Sequence, residues 1–274
     1  MKITVVIENN VPFSCGLPLL AEHGVSMLIE TARRRILYDT GESGAVLHNL
    51  TVLGIAPESL DAIVISHGHY DHTGGLLAVL RAARKSVAVY AHPGIFAERW
   101  SLARGGRRPI GIPYARSYIT GAGGDWHLCE APAEVAPGVW FSGAIPRVTE
   151  YEQGDTRLVQ NGEPDPHVDD TVLYCTGARG LVVVSGCAHS GLVNAVRHGF
   201  SVTGQDRLQA WIGGTHLGPV GPEQQERTIA QLVDWQPDLV AANHCTGFPM
   251  ASRLQTTFGE RFVPAFAGVA VDLD

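Results

Sequence analysis

Four side chains that can bind a metal ion lie within six consecutive positions of this chain. They are His67, His69, Asp71 and His72, within the stretch SHGHYDHTGG at residues 66–75. Neutral imidazoles and carboxylates are ligands that a divalent ion such as zinc accepts. A polar surface loop is the simpler explanation, but ligand-type residues at this density, directly after a buried strand, seldom occur by accident. The stretch therefore predicts a metal site.

The elements on either side of this stretch determine how its side chains are presented. Residues 61–65 are predicted to form a buried strand and residues 76–84 a helix, so the stretch is a strand-to-helix turn. Side chains two positions apart project to the same side of an extended backbone, so His67 and His69 can face one ion. The carboxylate and the third imidazole follow the bend and can face a second point nearby.

Three further histidines each follow a predicted strand. They are His189, His216 and His244, and the strands before them are predicted at residues 181–185, 208–212 and 238–242. In a sheet built from strand–helix units, the strand ends line one edge, where loops converge on a site. We therefore expect these histidines to lie near the 66–75 stretch.

The remaining pattern predicts an α/β fold that opens with antiparallel strands. Apolar segments separated by turn residues predict strands at 2–8, 26–31 and 35–40, and a hairpin at 173–176 and 181–185. Helices are predicted at residues 43–53, 76–84, 192–198 and 222–235. No linker divides the chain, so residues 1–274 are expected to form a single domain.

Composition excludes several classes of protein. Of the 274 residues 45% are hydrophobic and 17% are charged, which favours a packed core over disorder. A net charge of −7 argues against nucleic-acid binding. No apolar run is long enough to span a membrane. We expect a small-molecule substrate as the partner, and the sequence leaves the oligomeric state open.

The cysteines favour a reducing compartment. They are odd in number, widely spaced and free of any C-x-x-C pair: Cys15, Cys129, Cys175, Cys187 and Cys245. Free thiols are the simplest interpretation, and the absence of a signal-peptide pattern before the first strand predicts a cytoplasmic protein. The thiols at 187 and 245, each close to a histidine, either line the site as thiolates or are small buried residues, and the second reading is favoured.

Residues 97–125 lack a clear period and predict an irregular lid or binding loop. Its arginines suit an anionic substrate, although a solvated loop explains them equally well. They are Arg99, Arg104, Arg107, Arg108 and Arg116.

The H-x-H-x-D-H pattern at 67–72 resembles the signature of the metallo-β-lactamase superfamily, and so does the Asp-Thr-Gly turn at 39–41. The resemblance implies a four-layer αββα sandwich with one or two divalent ions at one edge of its sheets, zinc first and manganese or iron as alternatives. It also implies that Asp39 supports the histidine turn from behind. The ligand sets it implies are His67, His69 and His189 for the first ion, and Asp71, His72 and His244 for the second.

One departure concerns the aspartate that bridges the two ions in many members of the superfamily. The strand end expected to supply it has the sequence GGTH at 213–216, which contains no carboxylate. His216 is therefore interpreted as a metal ligand or a substrate contact, with simple packing as the alternative.

A finer resemblance, carried by residues 22–24, 142–147, 186–191 and 213–217, is to the branch that includes dihydropterin–ribofuranosylaminobenzene phosphate synthase. The superfamily resemblance implies hydrolysis of an ester, lactone, amide or phosphoester of a small anionic metabolite by metal-activated water. Asp71 is then the catalytic residue, and Arg147 and His23 bind substrate. The alternatives are an iron-dependent oxidoreductase on the same fold and a non-enzymatic metabolite-binding protein.

Overall fold

The computed structural model describes residues 1–273, apart from the side chain of Arg104. Its strands are β1 (Lys2–Ile7), β2 (Ser26–Glu30), β3 (Arg35–Tyr38), β4 (Ala62–Val64), β5 (Val87–Ala91), β6 (Arg99–Ser101), β7 (Arg108–Pro109), β8 (Gly124–Leu128), β9 (Ala133–Ala136), β10 (Val139–Phe141), β11 (Leu158–Gln160), β12 (Glu163–Pro164), β13 (Val172–Gly177), β14 (Gly180–Ser185), β15 (Leu208–Gly214), β16 (Leu239–Asn243), β17 (Phe262–Pro264) and β18 (Ala270–Asp272). Its helices are α1 (Ala45–Val52), α2 (Tyr70–Thr73), α3 (Leu76–Ala83), α4 (Arg116–Gly121), α5 (Leu192–Thr203), α6 (Pro222–Trp235) and α7 (Phe248–Phe258). Within residues 1–273, no helix is both long enough and apolar enough to cross a membrane.

Two seven-stranded sheets contain most of the strands. Their orders are β18-β1-β2-β3-β4-β5-β8 and β17-β16-β15-β14-β13-β10-β9. In the first sheet β1 to β3 are antiparallel, and β3, β4, β5 and β8 are parallel. In the second sheet β13 and β14 form a hairpin, and β14 to β17 are parallel. The predicted antiparallel opening and the predicted hairpin are confirmed, and the two halves share one plan.

Three apolar layers hold the sheets and helices together. One lies between the two sheets, one between the first sheet and helices α1, α3 and α4, and one between the second sheet and helices α5, α6 and α7. Strand β14 shows how a single strand serves two layers. Val182 and Val184 face the layer between the sheets, whereas Leu181 and Val183 face the helices, because alternate side chains project to opposite faces. The predicted four-layer αββα sandwich is confirmed.

Residues 97–125 are more regular than the sequence predicts. Strands β6 and β7 join β11 and β12 in a third sheet of order β12-β11-β6-β7, while β8 pairs with β5 at the edge of the first sheet. Strands β7 and β12 contain only two residues each, too few for an alternating pattern to be visible in the sequence.

Candidate metal centre

Four strand ends supply most of the histidines of the candidate centre. Strand β4 leads to His67 and His69, β14 to His189, β15 to His216 and β16 to His244. Strands β14, β15 and β16 are parallel neighbours, so the residues that follow them lie at one edge of the sheet. All five imidazoles are buried. The fold thus brings residues that are far apart in the sequence to one place.

His67, His69 and His189 form the first cluster. His67 Nε2 lies 2.9 Å from His69 Nδ1, and the His189 ring lies 4.8 Å from the His67 ring and 5.0 Å from the His69 ring. One ligand atom from each residue falls within 4.8 Å of the others. The three can therefore share one ion.

Asp71 is the centre of the second cluster. Its Oδ2 atom lies 3.6 Å from His72 Nε2, 3.4 Å from His244 Nε2 and 3.3 Å from His23 Nε2. His23 is about half exposed, whereas the other two imidazoles are buried. The carboxylate therefore faces three imidazole nitrogens, one of which also reaches solvent.

Hydrogen bonds from behind orient the imidazoles of the second cluster. Asp39 Oδ2 lies 2.7 Å from His72 Nδ1, and Asn9 Oδ1 lies 3.2 Å from His244 Nδ1. Asp39 also accepts hydrogen bonds from Ser66, at 2.7 Å from both its backbone nitrogen and its Oγ. An acceptor at Nδ1 favours the tautomer in which Nε2 carries a lone pair, which is the usual arrangement around metal-binding histidines.

Backbone strain is concentrated around the centre. Asp39, His167, His216 and His244 have φ angles of 56°, 48°, 49° and 50°, in the left-handed region. Residues other than glycine adopt this region at a cost of roughly 1–3 kcal/mol each, and such strain clusters at functional sites. The surrounding packing fixes these side chains in orientations that a relaxed strand end would not provide.

The charges of the two clusters differ. Burial, and then the neighbouring imidazoles, holds the pKa values of His67 and His189 well below the usual range, so both rings are neutral at pH 7. Burial alone would raise the pKa of Asp71, but His72 and His244 hold it well below its usual range. Burial alone would lower the pKa of His72, but the carboxylates of Asp39 and Asp71 raise it to about 9. The first cluster thus offers neutral nitrogen donors, whereas in the second the ionised Asp71 carboxylate faces a His72 ring that is protonated at pH 7 and would release that proton to bind an ion.

Several nitrogens in the centre have no hydrogen-bond partner among the residues that the structure describes. They are His69 Nε2, His167 Nε2, both ring nitrogens of His189 and both of His216. A buried polar atom without a partner costs about 1–3 kcal/mol, so such a concentration needs an explanation. Neutral imidazole nitrogens beside an ionised carboxylate are the donor set that a divalent ion prefers, and the residues present therefore fit a metal.

His167 belongs to the centre although no sequence pattern described above predicts it. Its ring stacks on that of His189 at 4.2 Å and lies 5.6 Å from His69. Its Nδ1 lies 2.8 Å from the carbonyl oxygen of Asp165, and its Nε2 has no hydrogen-bond partner among the described residues. Burial lowers the pKa of His167 to about 4. The available signal was the dense polar run DPHVDD at 165–170, which contains ligand-type residues but no strand pattern.

Cys187 lies between the two clusters. Its Sγ atom is 3.3 Å from His72 Nε2. It shares groups of close ligand atoms with His67 and His72, with His189 and His216, and with His244 and Cys245. The residue that lies between the clusters therefore follows β14 and carries a thiol. The superfamily pattern described above instead expects a carboxylate there, from the end of β15. The sequence favours a small buried residue at this position; Cys187 is buried, and its thiol also lies within reach of ligand atoms of both clusters.

His216 lies on the side of the first cluster. Its ring centroid is 4.1 Å from that of His189, and its backbone nitrogen donates to Cys245 Sγ at 3.2 Å. The sequence interprets His216 as a metal ligand or a substrate contact, with packing as the alternative. The structure places its ring against His189, with a ring nitrogen within 4.8 Å of ligand atoms of Cys187 and His189.

Arg147 does not occupy the position that the sequence predicts for a substrate contact. Its guanidinium donates to the carbonyl oxygens of Glu152 and His189, both at 2.9 Å, and so supports the loop that carries His189. The cavity over the centre, of about 140 Å³, is lined by Arg108 and His23 together with ligand-type residues from both clusters. Of the described residues that line it, Arg108 is the one that carries a permanent positive charge.

Arg99 is neither solvated nor available to a substrate, because it is buried beneath the centre. Its Nε donates to Asp165 and its Nη2 to Asp169, both at 2.6 Å. Asp169 also accepts the backbone N–H of Gly68 at 2.8 Å, and Asp165 accepts that of His167 at 2.8 Å. This network joins the turn that carries His67 and His69 to the segment that carries His167.

The geometry agrees with comparisons to known proteins. A family model described as Metallo-beta-lactamase superfamily matches residues 20–193. The chain is 31% identical to a 7,8-dihydropterin-6-methyl-4-(beta-D-ribofuranosyl)-aminobenzene-5'-phosphate synthase of Methanocaldococcus jannaschii, over 98% of this chain and 95% of that protein. It is 32% identical to an uncharacterized protein of the same archaeon, over 92% and 93% of the two chains.

A solved structure supports the same fold. The crystal structure of a metal-dependent hydrolase of the beta-lactamase superfamily matches with a TM-score of 0.84 at 24% identity, over 100% of this chain and 99% of that chain. At this level of sequence identity, the similarity between the two structures is evidence for the fold of this chain alone.

Proposed function

This chain belongs to the metallo-beta-lactamase superfamily, and on that premise we propose that it is a metal-dependent hydrolase of a small anionic metabolite. The observation that carries the proposal is one cavity that brings together two sets of groups: the buried imidazoles of His69, His189 and His216, which have ring nitrogens without hydrogen-bond partners among the described residues, and the ionised carboxylate of Asp71 with its neighbour His244. Superfamily members typically bind divalent metals, and this donor set fits one.

We assign the residues in two sets. His67, His69 and His189 would hold one ion, with His167 and His216 beside them. Asp71, His72 and His244 would hold a second, with Cys187 between the sets. A divalent ion bound there supplies Lewis acidity and a nucleophile derived from water at neutral pH.

The remaining chemistry belongs to the side chains of the centre. Asp71 stays ionised because His72 and His244 lower its pKa, so its Oδ2 acts as a ligand and hydrogen-bond acceptor that can orient a water molecule. His23 lies 3.3 Å from the same oxygen and is half exposed, which suits a contact with the leaving group. Burial of the other imidazoles excludes bulk water and strengthens the electrostatic interactions within the centre.

Arg108 is the proposed contact for the anionic part of the substrate. It lines the cavity over the centre and lies against the Tyr70 ring, with 5.4 Å from its Cζ to the ring centroid. The loop that follows it is tied to the metal-binding turn, because Tyr70 N donates to the carbonyl oxygen of Ile110 at 3.0 Å. The name of the Methanocaldococcus relative contains a 5'-phosphate, which favours a phosphoester among the possible substrates.

Removal and return of metal test the proposal. We expect treatment with a chelator to abolish hydrolysis of a panel of ester, lactone, amide and phosphoester substrates, and zinc, manganese or iron to restore it. Rates are followed by product release. Hydrolysis that persists after chelation, or its absence across the panel with every metal, would contradict a metal-dependent hydrolase.

Cobalt reloading tests the position of Cys187 in the same preparation. Cobalt bound by a thiolate gives near-ultraviolet charge-transfer absorption, which we expect in the wild type and not in Cys187→Ser. Cys175→Ser is the matched control, because that thiol is also buried but lies in the layer between the sheets. Equal absorption in Cys187→Ser and the wild type would remove Cys187 from the ligand set.

A further inference from the structure

A second cavity adjoins the candidate metal centre. Its volume is about 460 Å³, within the range of small-molecule binding sites. His244 lines both this cavity and the one over the centre, and His244 Nε2 is 3.4 Å from Asp71 Oδ2. A ligand in the second cavity is therefore separated from the reacting carboxylate by one side chain.

Aromatic rings form much of its wall. Phe248 comes from the start of α7, Phe262 from β17, and Phe266 from the segment after β17. Phe248 is 86% exposed, so most of its ring surface is available to an occupant of the cavity. Phenyl faces and edges stack favourably against other planar rings, with a gain of about 0.5–1.5 kcal/mol per pair beyond burial.

Amides are the most frequent polar groups of the wall, beside Glu8, His244 and two hydroxyls. Asn9 and Asn10 come from the segment after β1, and Gln255 comes from α7. Amide side chains can both donate and accept hydrogen bonds. They therefore suit a ring whose edge carries donors and acceptors.

The electrostatics of the wall disfavour a charged occupant. Its described lining contains no lysine or arginine. The one carboxylate, Glu8, already accepts the backbone N–H groups of His244 at 2.8 Å and of Asn10 at 2.6 Å. No lysine or arginine in the described lining compensates a buried anion, and two backbone N–H groups already partly satisfy the Glu8 carboxylate.

We propose that this Phe248 cavity binds the planar, uncharged, heterocyclic end of the substrate. The cavity over the metal centre, with Arg108, receives the anionic end. The identity of the reacting end of the substrate rests on the proposed function. The assignment deepens that function by naming the chemistry of the other end of the substrate.

A variant that fills the cavity tests the assignment. Ser252 is exposed and lines the cavity from α7, so Ser252→Trp places an indole in the space without altering a core residue or a candidate ligand. Thr257→Trp is the matched control, since Thr257 is exposed on the same helix and lies outside the described lining. Metal content is measured in every variant, so that loss of the metal centre is recognised.

The probe is pterin, a fluorescent and uncharged fused heterocycle, and its anisotropy is measured with metal-loaded protein. We expect saturable binding by the wild type and by Thr257→Trp, and a Kd at least about tenfold higher for Ser252→Trp. Phe248→Ala removes one stacking face and is expected to raise the Kd about fivefold. Adenine is expected to compete with pterin.

Two results would overturn the assignment. One is equal pterin affinity in Ser252→Trp and the wild type, and the other is a wild type that binds neither pterin nor adenine. Failure of the proposed function is recognised separately, because binding of pterin requires no turnover. A protein that binds pterin in this cavity but hydrolyses nothing contradicts the hydrolase and leaves the binding site standing.

Discussion

Asp71→Asn is expected to lower kcat/KM about 10³-fold, the middle of the range for loss of a positioned acid–base group. The asparagine side chain has nearly the same shape but carries no charge, and an amide group that only donates replaces one of the two acceptor oxygens. Asp71 Oδ2 faces the Nε2 atoms of His23, His72 and His244 within 3.6 Å. The variant should therefore fold normally and keep the ion of the first cluster. It should lose the orientation of the nucleophile and the ion of the second cluster.

Steady-state kinetics and metal analysis of the same preparation check this expectation. Asp234→Asn is the control, because Asp234 is an exposed carboxylate on α6. Its kcat/KM should remain at the wild-type value. A kcat/KM for Asp71→Asn within tenfold of the wild type would show that this carboxylate is not at the reacting centre.

Arg99→Met is expected to lower the free energy of unfolding by about 3–5 kcal/mol. Arg99 is 1% exposed and is the positive partner of the Asp165 and Asp169 carboxylates, both of which are buried. Methionine occupies a similar volume but leaves two like charges without compensation. The cost should exceed that of a normal core substitution, because burying an unpaired charge is more unfavourable than losing apolar contacts.

Urea denaturation measures this change, with Arg33→Met as the control. Arg33 is exposed in the turn between β2 and β3, so its replacement should alter the free energy of unfolding by less than about 0.5 kcal/mol. A loss of less than about 1 kcal/mol in Arg99→Met would mean that the network is not stabilising. We also expect Arg99→Met to bind metal more weakly, since Asp169 positions Gly68 and Asp165 positions His167.

The sandwich was predictable because its signals are local. The apolar runs of β3, β14 and β16 and the strand-to-helix turns after them can be identified within short windows of sequence. The H-x-H-x-D-H pattern lies within one such window, and the other histidines could be placed because each follows a strand. The order of strands in a sheet then determines which strand ends become neighbours.

The parts that were missed depend on distant contacts. The bonds that place Asp165 and Asp169 against Arg99 join residues 66 and 70 positions apart in the sequence, and nothing near His167 indicates its destination. Strands β7 and β12 are too short to leave a periodic trace. The position of Cys187 between the two clusters follows from the place of β14 in the middle of the second sheet, which the sequence alone does not specify.

Elemental analysis of metal-loaded protein after desalting tests the central claim most directly. We expect about one or two divalent ions per wild-type chain, and the loss of at least one in His67→Ala/His69→Ala, because both residues belong to the first cluster. The control is His48→Ala/His127→Ala, which removes two exposed histidines outside the centre and should leave the metal content unchanged. Equal metal content in His67→Ala/His69→Ala and the wild type would contradict the assignment of this centre as a metal site.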